Sequence, residues 1–350
     1  MNGKDRSEKD RPPHPRVTLK DLAEDLGMSV STVSRAFQKG SPISDRAREI
    51  VLTRAAEMDY KANPFARSLV GKKSRIVGVL VSRISSPFYY EILNRIAEHL
   101  REDNLTLMLV AGEHVHELQE GLNMLMAYDP LAVLVISSFS DADSIALSPT
   151  ARNKLLYFNR VPADSLVLGV AYDNRAAGAR MADYLIGLGH RRLAYLSSGM
   201  DSSTDHERHQ GFSARCAETG LNQPLLFGTK GFTYEAGMAA AADVVARLDD
   251  LDAVFCAADI LALGLMDGMR HHFHVSVPED ISIAGCDDIA MAGWPSHSLT
   301  TLRMPRDTIV RELIRLFRSI IDDHRPSPEI IRVAPGDVVV RNSTGHNVRQ

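Results

Sequence analysis

Positions 29–35 gather Ser29, Val30, Ser31, Thr32, Ser34 and Arg35: hydroxyls, one branched apolar side chain and one guanidinium. On the first turns of a helix these groups have the reach for the edges of stacked bases. Arg35 can fork onto guanine O6 and N7, Val30 can lie against a thymine methyl, and the hydroxyls can bond phosphates or sort a neighbouring base. The same residues also suit an ordinary capped helical hairpin, because serine caps and a lone arginine occur in many helices. Downstream, NPFARSLV at 63–70 is too short to be a stable isolated helix and orders only when held. Pro64 suits a first helical turn and Leu69 is an apolar side chain in a basic linker, so a pair of such segments can wedge leucines into a minor groove. A disordered linker with an incidental leucine is the alternative.

Catalytic chemistry finds less support. The apolar run IVGVLV leads into SRISSPF rather than a G-x-G-x-x-G turn, and no G-x-x-x-x-G-K-[ST] cradle occurs. There is no nucleophile–base set either. His271, His272 and His274 form a His-His-x-His run without partners at ligand spacing, so surface histidines are the simpler account. Neither an enzyme, a cofactor nor a metal is expected.

The elements that must position the reading groups begin at Thr18. Thr18-x-x-Asp21 resembles a capping box, and Leu19, Leu22, Ala23 and Leu26 then share one helical face. Gly27 permits a reversal, Ser29 caps a second helix anchored by Val33, and Ser44 opens a third through Ala47, Ile50, Val51 and Ala55, ending near Tyr60. Beyond Arg75 strand and helix alternate: strand 76–81, helix 88–102, strand 105–110, helix 116–127, strands 132–137 and 154–158. A second series starts near Leu166, with helix 174–188, strand 192–197, helix 206–219, strand 225–228, helix 234–248, strand 253–257, helix 259–273 and strand 281–285. That alternation predicts two doubly wound parallel sheets behind an all-α head. LTTLR, a helix at 306–323 and a terminal strand at 336–340 are expected to cross back between the halves.

A length of 350 residues suits two or three folding units, and 45% apolar with 24% charged residues is an ordinary globular composition. Residues 1–75 carry 16 Lys+Arg against 10 Asp+Glu, whereas the remainder carries 24 against 34, so the positive charge sits with the three helices. Phosphate binding needs such a local surplus. Cys216, Cys256 and Cys286 are an odd, widely spaced set of the kind expected as buried thiols. The apolar runs fall well short of the ~20 residues of a bilayer span, and positions 1–16 are polar, so a cytoplasmic chain with no membrane segment or export signal is expected.

TLKDLAEDLGMSVSTVSRAF, ARSL, SSPFYYEIL, DNRAAG, GHRRLAYLS, ERHQGF, CAADILALG, VPEDISIAGCDDIA, SLTTLR and VVVRNSTG occur in that order. Together they resemble the lactose-repressor (LacI/GalR) family of transcription regulators from Val17 to about Gly345. The resemblance implies a helix-turn-helix head at 17–62 after a disordered tail at 1–16, then a hinge helix and linker at 63–74. It further implies a periplasmic-binding-protein-like core at 75–341, with subdomain 1 at about 75–165 and 303–332, subdomain 2 at about 166–302 and 333–341, and a tail at 342–350. Val30 and Ser31 would be the variable base readers, Arg35 the shared polar contact and Leu69 the wedge. Leu19, Lys20, Ser29, Thr32, Ser34, Gln38, Asn63 and Ala66 complete the DNA-contacting set. The implied partners are double-stranded, pseudo-palindromic operator DNA, a second copy of the chain and a small-molecule effector. A secreted solute-binding protein is opposed by the attached head.

The same resemblance carries over cleft positions: Phe88, Tyr89, Asn159, Ser202, Thr204, Arg208, Phe232 and Asp287. A buried small polyol or acid needs a fixed donor fork, an acceptor and an apolar wall, which Arg208, Asp287 and the aromatic residues would supply. A structural salt bridge for Arg208 and Asp287, and plain core packing for Phe88, Tyr89 and Phe232, are the alternatives. One departure matters: Ala258 stands where the family often has an asparagine, so a hydroxyl-binding amide is gone. A sugar acid, deoxy sugar or similar metabolite is then expected rather than a plain hexose, with Trp294 supplying apolar surface. No heptad segment of the lactose-repressor kind follows Arg341, so a dimer is expected. Leu69→Ala is expected to weaken operator binding while leaving effector affinity unchanged, measured by fluorescence anisotropy on labelled operator and by calorimetry; unaltered operator affinity would remove the wedge.

Overall fold

Thr18 and Asp21 close a reciprocal capping box: the Asp21 amide donates to Thr18 Oγ1 at 3.3 Å and the Thr18 amide to Asp21 Oδ2 at 2.8 Å. It opens α1 (Leu19–Asp25). Gly27 turns the chain at φ +57°, and Ser29 accepts from the Thr32 amide at 3.1 Å to start α2 (Val30–Ala36). Ser44 likewise caps α3 (Asp45–Glu57). The structure, a computed structural model, describes residues 17–37, 41–60, 74–82, 87–112, 114–136, 149–160, 167–199, 202–322, 324 and 326–347, and the chain divides into two units between Ser74 and Arg75. The expected tail at 1–16 and hinge at 63–73 lie outside the described residues.

Leu22, Ala23, Val33, Ala36, Val51 and Ala55 form the buried centre of the head, flanked by Leu19, Leu26, Phe37 and Tyr60. Ile50, expected on the apolar side of α3, instead stands 43% exposed, because the turn around Val51 and Ala55 already fills the face toward α1 and α2. So small a core is supplemented by polar pins. Arg54 forks onto Asp25 from Nε (2.6 Å) and Nη2 (2.8 Å), tying α3 to α1, and Arg48 Nη1 donates to the Ala36 carbonyl at 2.8 Å, satisfying the end of α2.

From Arg75 the chain builds β1 (Ile76–Ser82), α4 (Pro87–Glu102), β2 (Thr106–Gly112), α5 (Val115–Ala127), β3 (Ala132–Ile136), α6 (Pro149–Arg152), β4 (Leu155–Phe158) and β5 (Gly169–Tyr172). Then come α7 (Asn174–Gly187), β6 (Leu193–Ser197), α8 (Ser203–Glu218), β7 (Leu225–Gly228), α9 (Tyr234–Ala239), α10 (Ala241–Val245), β8 (Ala253–Cys256), α11 (Asp259–His272) and β9 (Ser282–Asp287). β10 (Thr300–Arg303), α12 (Arg306–Ile321), β11 (Ile330–Val333) and β12 (Val338–Val339) complete it. Two six-stranded sheets result, ordered β11-β5-β4-β3-β1-β2 and β12-β10-β9-β8-β6-β7; only β12 runs antiparallel to its neighbour. β1, β3, β4 and β5 are buried at every position, as strands covered on both faces require. Among the described residues no helix is long and apolar enough to cross a membrane.

Three expectations need correction. The run starting near Leu166 does not open the second sheet: Gly169 and Val170 pair with Tyr157 and Phe158, so β5 extends the first. Alternation reports a strand but not its neighbour, and here the register decides. β11, which no sequence pattern marked, pairs in parallel with β5 from Ile330↔Gly169 to Val333↔Tyr172. Residues 342–347 are not a tail either. Ser343 is fully buried, donating to the Ile283 carbonyl at 2.6 Å and accepting from the Thr300 amide at 2.8 Å, while Thr344 bonds Tyr184 and Thr300. Short hydroxyl side chains there give the Thr300 amide and the Ile283 carbonyl a hydrogen-bond partner.

The approach of α7 to α8 bears most directly on the site. An added Cβ at Gly178 would lie 2.0 Å from the Arg208 carbonyl oxygen, and one at Gly211 would lie 2.0 Å from that of Arg175. The two helices therefore meet backbone to backbone, and Arg208 is carried up to Asn174 by that contact. Gly211→Ala is expected to destabilise the core by about 1–3 kcal/mol through overpacking, read as a lower midpoint of urea unfolding.

Candidate functional site

On α2 the 3.6-residue period places Val30, Ser31, Ser34 and Arg35 on one face and Val33 and Ala36 on the other. The second face is buried in the head; on the first, Val30 is 46% exposed and Ser31 and Arg35 are exposed. Ser29 Oγ lies 2.9 Å from Ser31 Oγ and 2.8 Å from Thr32 Oγ1, a chain of hydroxyls at the helix's positive end. Lys20 is exposed beside Glu24 at 3.6 Å, a pair too solvated to hold it. Leu19 is half-buried against the head's core and Thr32 and Ser34 are half-buried. Gln38, Asn63, Ala66 and Leu69 lie outside the described residues. No sequence signal marks Arg48 or Arg54, whose partners are 12 and 29 positions away.

In the core, the carboxyl ends of the two parallel sheets bring together polar groups from distant positions, the usual place for ligands in open α/β sheets. Arg208, on α8, is buried with a relative exposure of 4%. One Nη donates to Asn174 Oδ1 at 2.6 Å and the other to the Ala257 carbonyl, both neutral acceptors. Its Nε has no partner among the described residues. Asp287 ends β9 in the left-handed region at φ 122°, and its carbonyl accepts from Arg306 Nη2 at 2.8 Å. Arg306 also lies 5.9 Å over the Phe88 ring and forms an ion pair with Glu91 at 2.9 Å, joining the end of β9 to the helix that follows β1. Burial pushes the Asp287 carboxyl up to about 8; Arg208 pulls the other way, and the neighbouring carboxylate of Asp259 adds to the rise.

Asn159 follows β4 at φ 66° and donates from Nδ2 to Tyr89 Oη at 3.0 Å, leaving its Oδ1 buried without a partner among the described residues. Burial raises the Tyr89 phenol, and the charges of Asp287 and Arg208 act on it as well. Tyr89, Asn159, Arg208 and Asp287 are thus brought into one neighbourhood. Phe88, 2% exposed, is an apolar floor against Tyr89 and Phe158, with centroids 5.3 and 6.2 Å away.

The remaining predicted cleft residues are tied less directly to that set. Ser202 and Thr204 bond one another at 2.9 Å at the start of α8, and Phe232 packs against the core after β7. Trp294 is 52% exposed, with His297 6.4 Å from its ring, and no contact among the described residues joins it to Arg208 or Asp287. Asp205 carried no sequence signal. It is buried and accepts from Tyr195 Oη (2.7 Å), Ser197 Oγ (2.8 Å), the Ser198 amide (2.8 Å) and Ser198 Oγ (2.6 Å), fixing the loop that follows β6. Asp259 does the same for the loop after β9, accepting from Thr301 Oγ1 at 2.5 Å and the Ile289 amide at 2.9 Å.

Residues 18–63 match the family model of bacterial regulatory proteins of the lacI family, and residues 182–344 match that of the periplasmic binding protein-like domain. The chain is 28% identical over 332 residues to the HTH-type transcriptional repressor PurR of Photobacterium profundum, covering 93% of this chain and 98% of that protein. Its fold is that of the lac repressor dimer bound to operator and the anti-inducer ONPF (TM-score 0.80, 22% identity, 94% and 99% of the two chains). It also resembles the transcriptional regulator CelR in complex with cellobiose (TM-score 0.69, 26% identity, 94% and 100%). With an N-terminal head matching one model, residues 182–344 of the core matching the other, and relatives matched over almost their whole length, this chain belongs to the LacI family of bacterial transcriptional regulators.

Proposed function

We propose that this regulator grips a pseudo-palindromic operator as a homodimer and that a small hydroxylated metabolite, a sugar or sugar acid, sets the strength of the grip. The observation that carries the metabolite half is a pair of buried polar atoms without a partner among the described residues: Arg208 Nε and Asn159 Oδ1, close to the Asp287 carboxyl. Buried polar groups are rarely left without partners, and a donor and an acceptor facing one space are a ready complement to a polyol. CelR, whose complex with cellobiose shares this fold, is a regulator of that kind. In this chain Arg208 Nε would donate to a ligand oxygen, Asp287 would accept from a hydroxyl, and Phe88 would form the apolar floor.

On the DNA side, Arg35, Ser31 and Val30 would reach base edges, while Ser29, Thr32, Ser34, Leu19 and Lys20 would position the head on the backbone. Gln38, Asn63, Ala66 and Leu69 would extend that contact. Two heads about one helical turn apart, ~34 Å, fit a pseudo-palindrome. Ligand and operator would then be linked by a reciprocal coupling free energy, because closing the two sheets on a ligand changes the platform from which paired heads reach DNA.

Two measurements test this reading. On an operator selected from random sequence, Arg35→Ala should cost about 1–3 kcal/mol and relax the preference at one base pair. Lys20→Ala should weaken all sequences alike and lower the salt slope by about 1; equal losses on selected and random DNA from Arg35→Ala would overturn the base-reading role. For the cleft, a hydroxyl donated to Asp287 favours the carboxylate, so binding releases a proton. Because burial pushes this carboxyl up to about 8 without ligand, the affinity for a hydroxylated ligand should rise with pH toward about 8, by up to about tenfold per unit, and then level off. Calorimetry showing a pH-independent affinity would contradict the assignment.

A further inference from the structure

Tyr172 is the last residue of β5, and its side chain is fully buried. Its hydroxyl nevertheless has no hydrogen-bond partner among the described residues. Its backbone is used: the carbonyl accepts from Asn174 Nδ2 at 3.1 Å, and Tyr172 registers with Val333 of β11. The backbone at Tyr172 is thereby fixed to β11 and to the start of α7, and its side chain is fully buried. The groups whose charges act on that oxygen are Cys286, Arg208, Asp287 and Arg180, so it faces the carboxyl end of the opposite sheet. Two of those four, Arg208 and Asp287, belong to the proposed cleft.

An unpartnered phenol in a core costs more than the phenylalanine that would fill the same space, since a buried polar group without a partner forfeits its hydration. Three such atoms come from elements around the proposed cleft: Tyr172 Oη from β5, Asn159 Oδ1 from the turn after β4, and Arg208 Nε from α8. Asn159 follows β4 alongside β5, its amide bonded to the carbonyl of Val170, two positions before Tyr172, at 2.8 Å. A donor–acceptor hydroxyl, a pure acceptor and a pure donor fit neighbouring hydroxyls on one ring better than they fit a single anion, which would leave Asn159 Oδ1 facing negative charge.

Building on the metabolite reading above, we propose that the Tyr172 hydroxyl is a specificity-determining contact of the cleft, bonding an oxygen on the ligand edge that faces the first sheet and selecting ligands with vicinal hydroxyls at that edge. Tyr172→Phe removes only the oxygen, and the full-length chain is the test object. Without ligand, the melting temperature of Tyr172→Phe should equal or exceed that of the unaltered chain; a fall of more than about 2–4 °C would mean that the hydroxyl holds the core together, and would overturn the proposal. With ligand, D-glucose, cellobiose, D-gluconate and D-glucuronate are titrated by calorimetry into both proteins. The tightest binder of the unaltered chain should lose at least about tenfold in affinity with Tyr172→Phe, and its analogue deoxygenated at one of the vicinal hydroxyls should bind both proteins equally. Unchanged affinity in Tyr172→Phe would overturn the Tyr172 assignment alone. Binding of none of the four by the unaltered chain would overturn the sugar-class reading, and this inference with it.

Discussion

A guanidinium taken out of water loses a hydration that only fixed dipoles or opposite charges can replace, and the core of this protein is organised around that cost at Arg208. Its hydrogen bonds to Asn174 and the Ala257 carbonyl come from the start of α7 and the end of β8, so the charge is held by backbone geometry more than by a salt bridge. That geometry exists because Gly178 and Gly211 let α7 and α8 meet at backbone distance. Asp287 faces the same space under strain of its own, at a left-handed φ and with its carboxyl pushed up by burial. Two groups that would each be cheaper on the surface are kept inside, with polar atoms nearby that find no partner among the described residues. Such an arrangement is consistent with a site completed by a ligand.

Around that centre the supporting bonds act on loops. Asp205 holds the turn after β6 with four donors, Asp259 holds the turn after β9, and Arg306 ties the end of β9 to Phe88 and Glu91 at the start of α4. Asp288 accepts from both Arg303 and Arg341, so strands that leave and re-enter the second sheet are fastened beside the same residue. The chain passes between the sheets after β5, after β10 and after β11. The head follows a different economy. Its helices are too short to stand alone, and six buried side chains with the Arg54–Asp25 fork hold α2 so that Val30, Ser31 and Arg35 face outward.

Much of this could be read from residue order. Thr18-x-x-Asp21, Ser29 and Ser44 announce their helices because a short oxygen-bearing side chain before an apolar period has one common use. Strands β1, β3 and β4 and most core helices fall close to where alternation and periodicity put them. The misses have physical causes. β5 and β11 are apolar runs whose sheet membership depends on register with partners far along the chain, and Ser343 and Thr344 look like surface residues until Thr300 and Ile283 are set beside them.

Local chemistry therefore determined the caps, the apolar faces, the uneven distribution of charge and the ordered motifs that mark the family, because each depends on neighbours within a few positions. Only the folded chain decided that Tyr172, Asn159, Arg208 and Asp287 are all buried, and that three of them keep polar atoms without a partner among the described residues. Those residues stand up to 128 positions apart, and whether a polar atom finds a partner is a property of the space around it, which no pattern along the chain encodes.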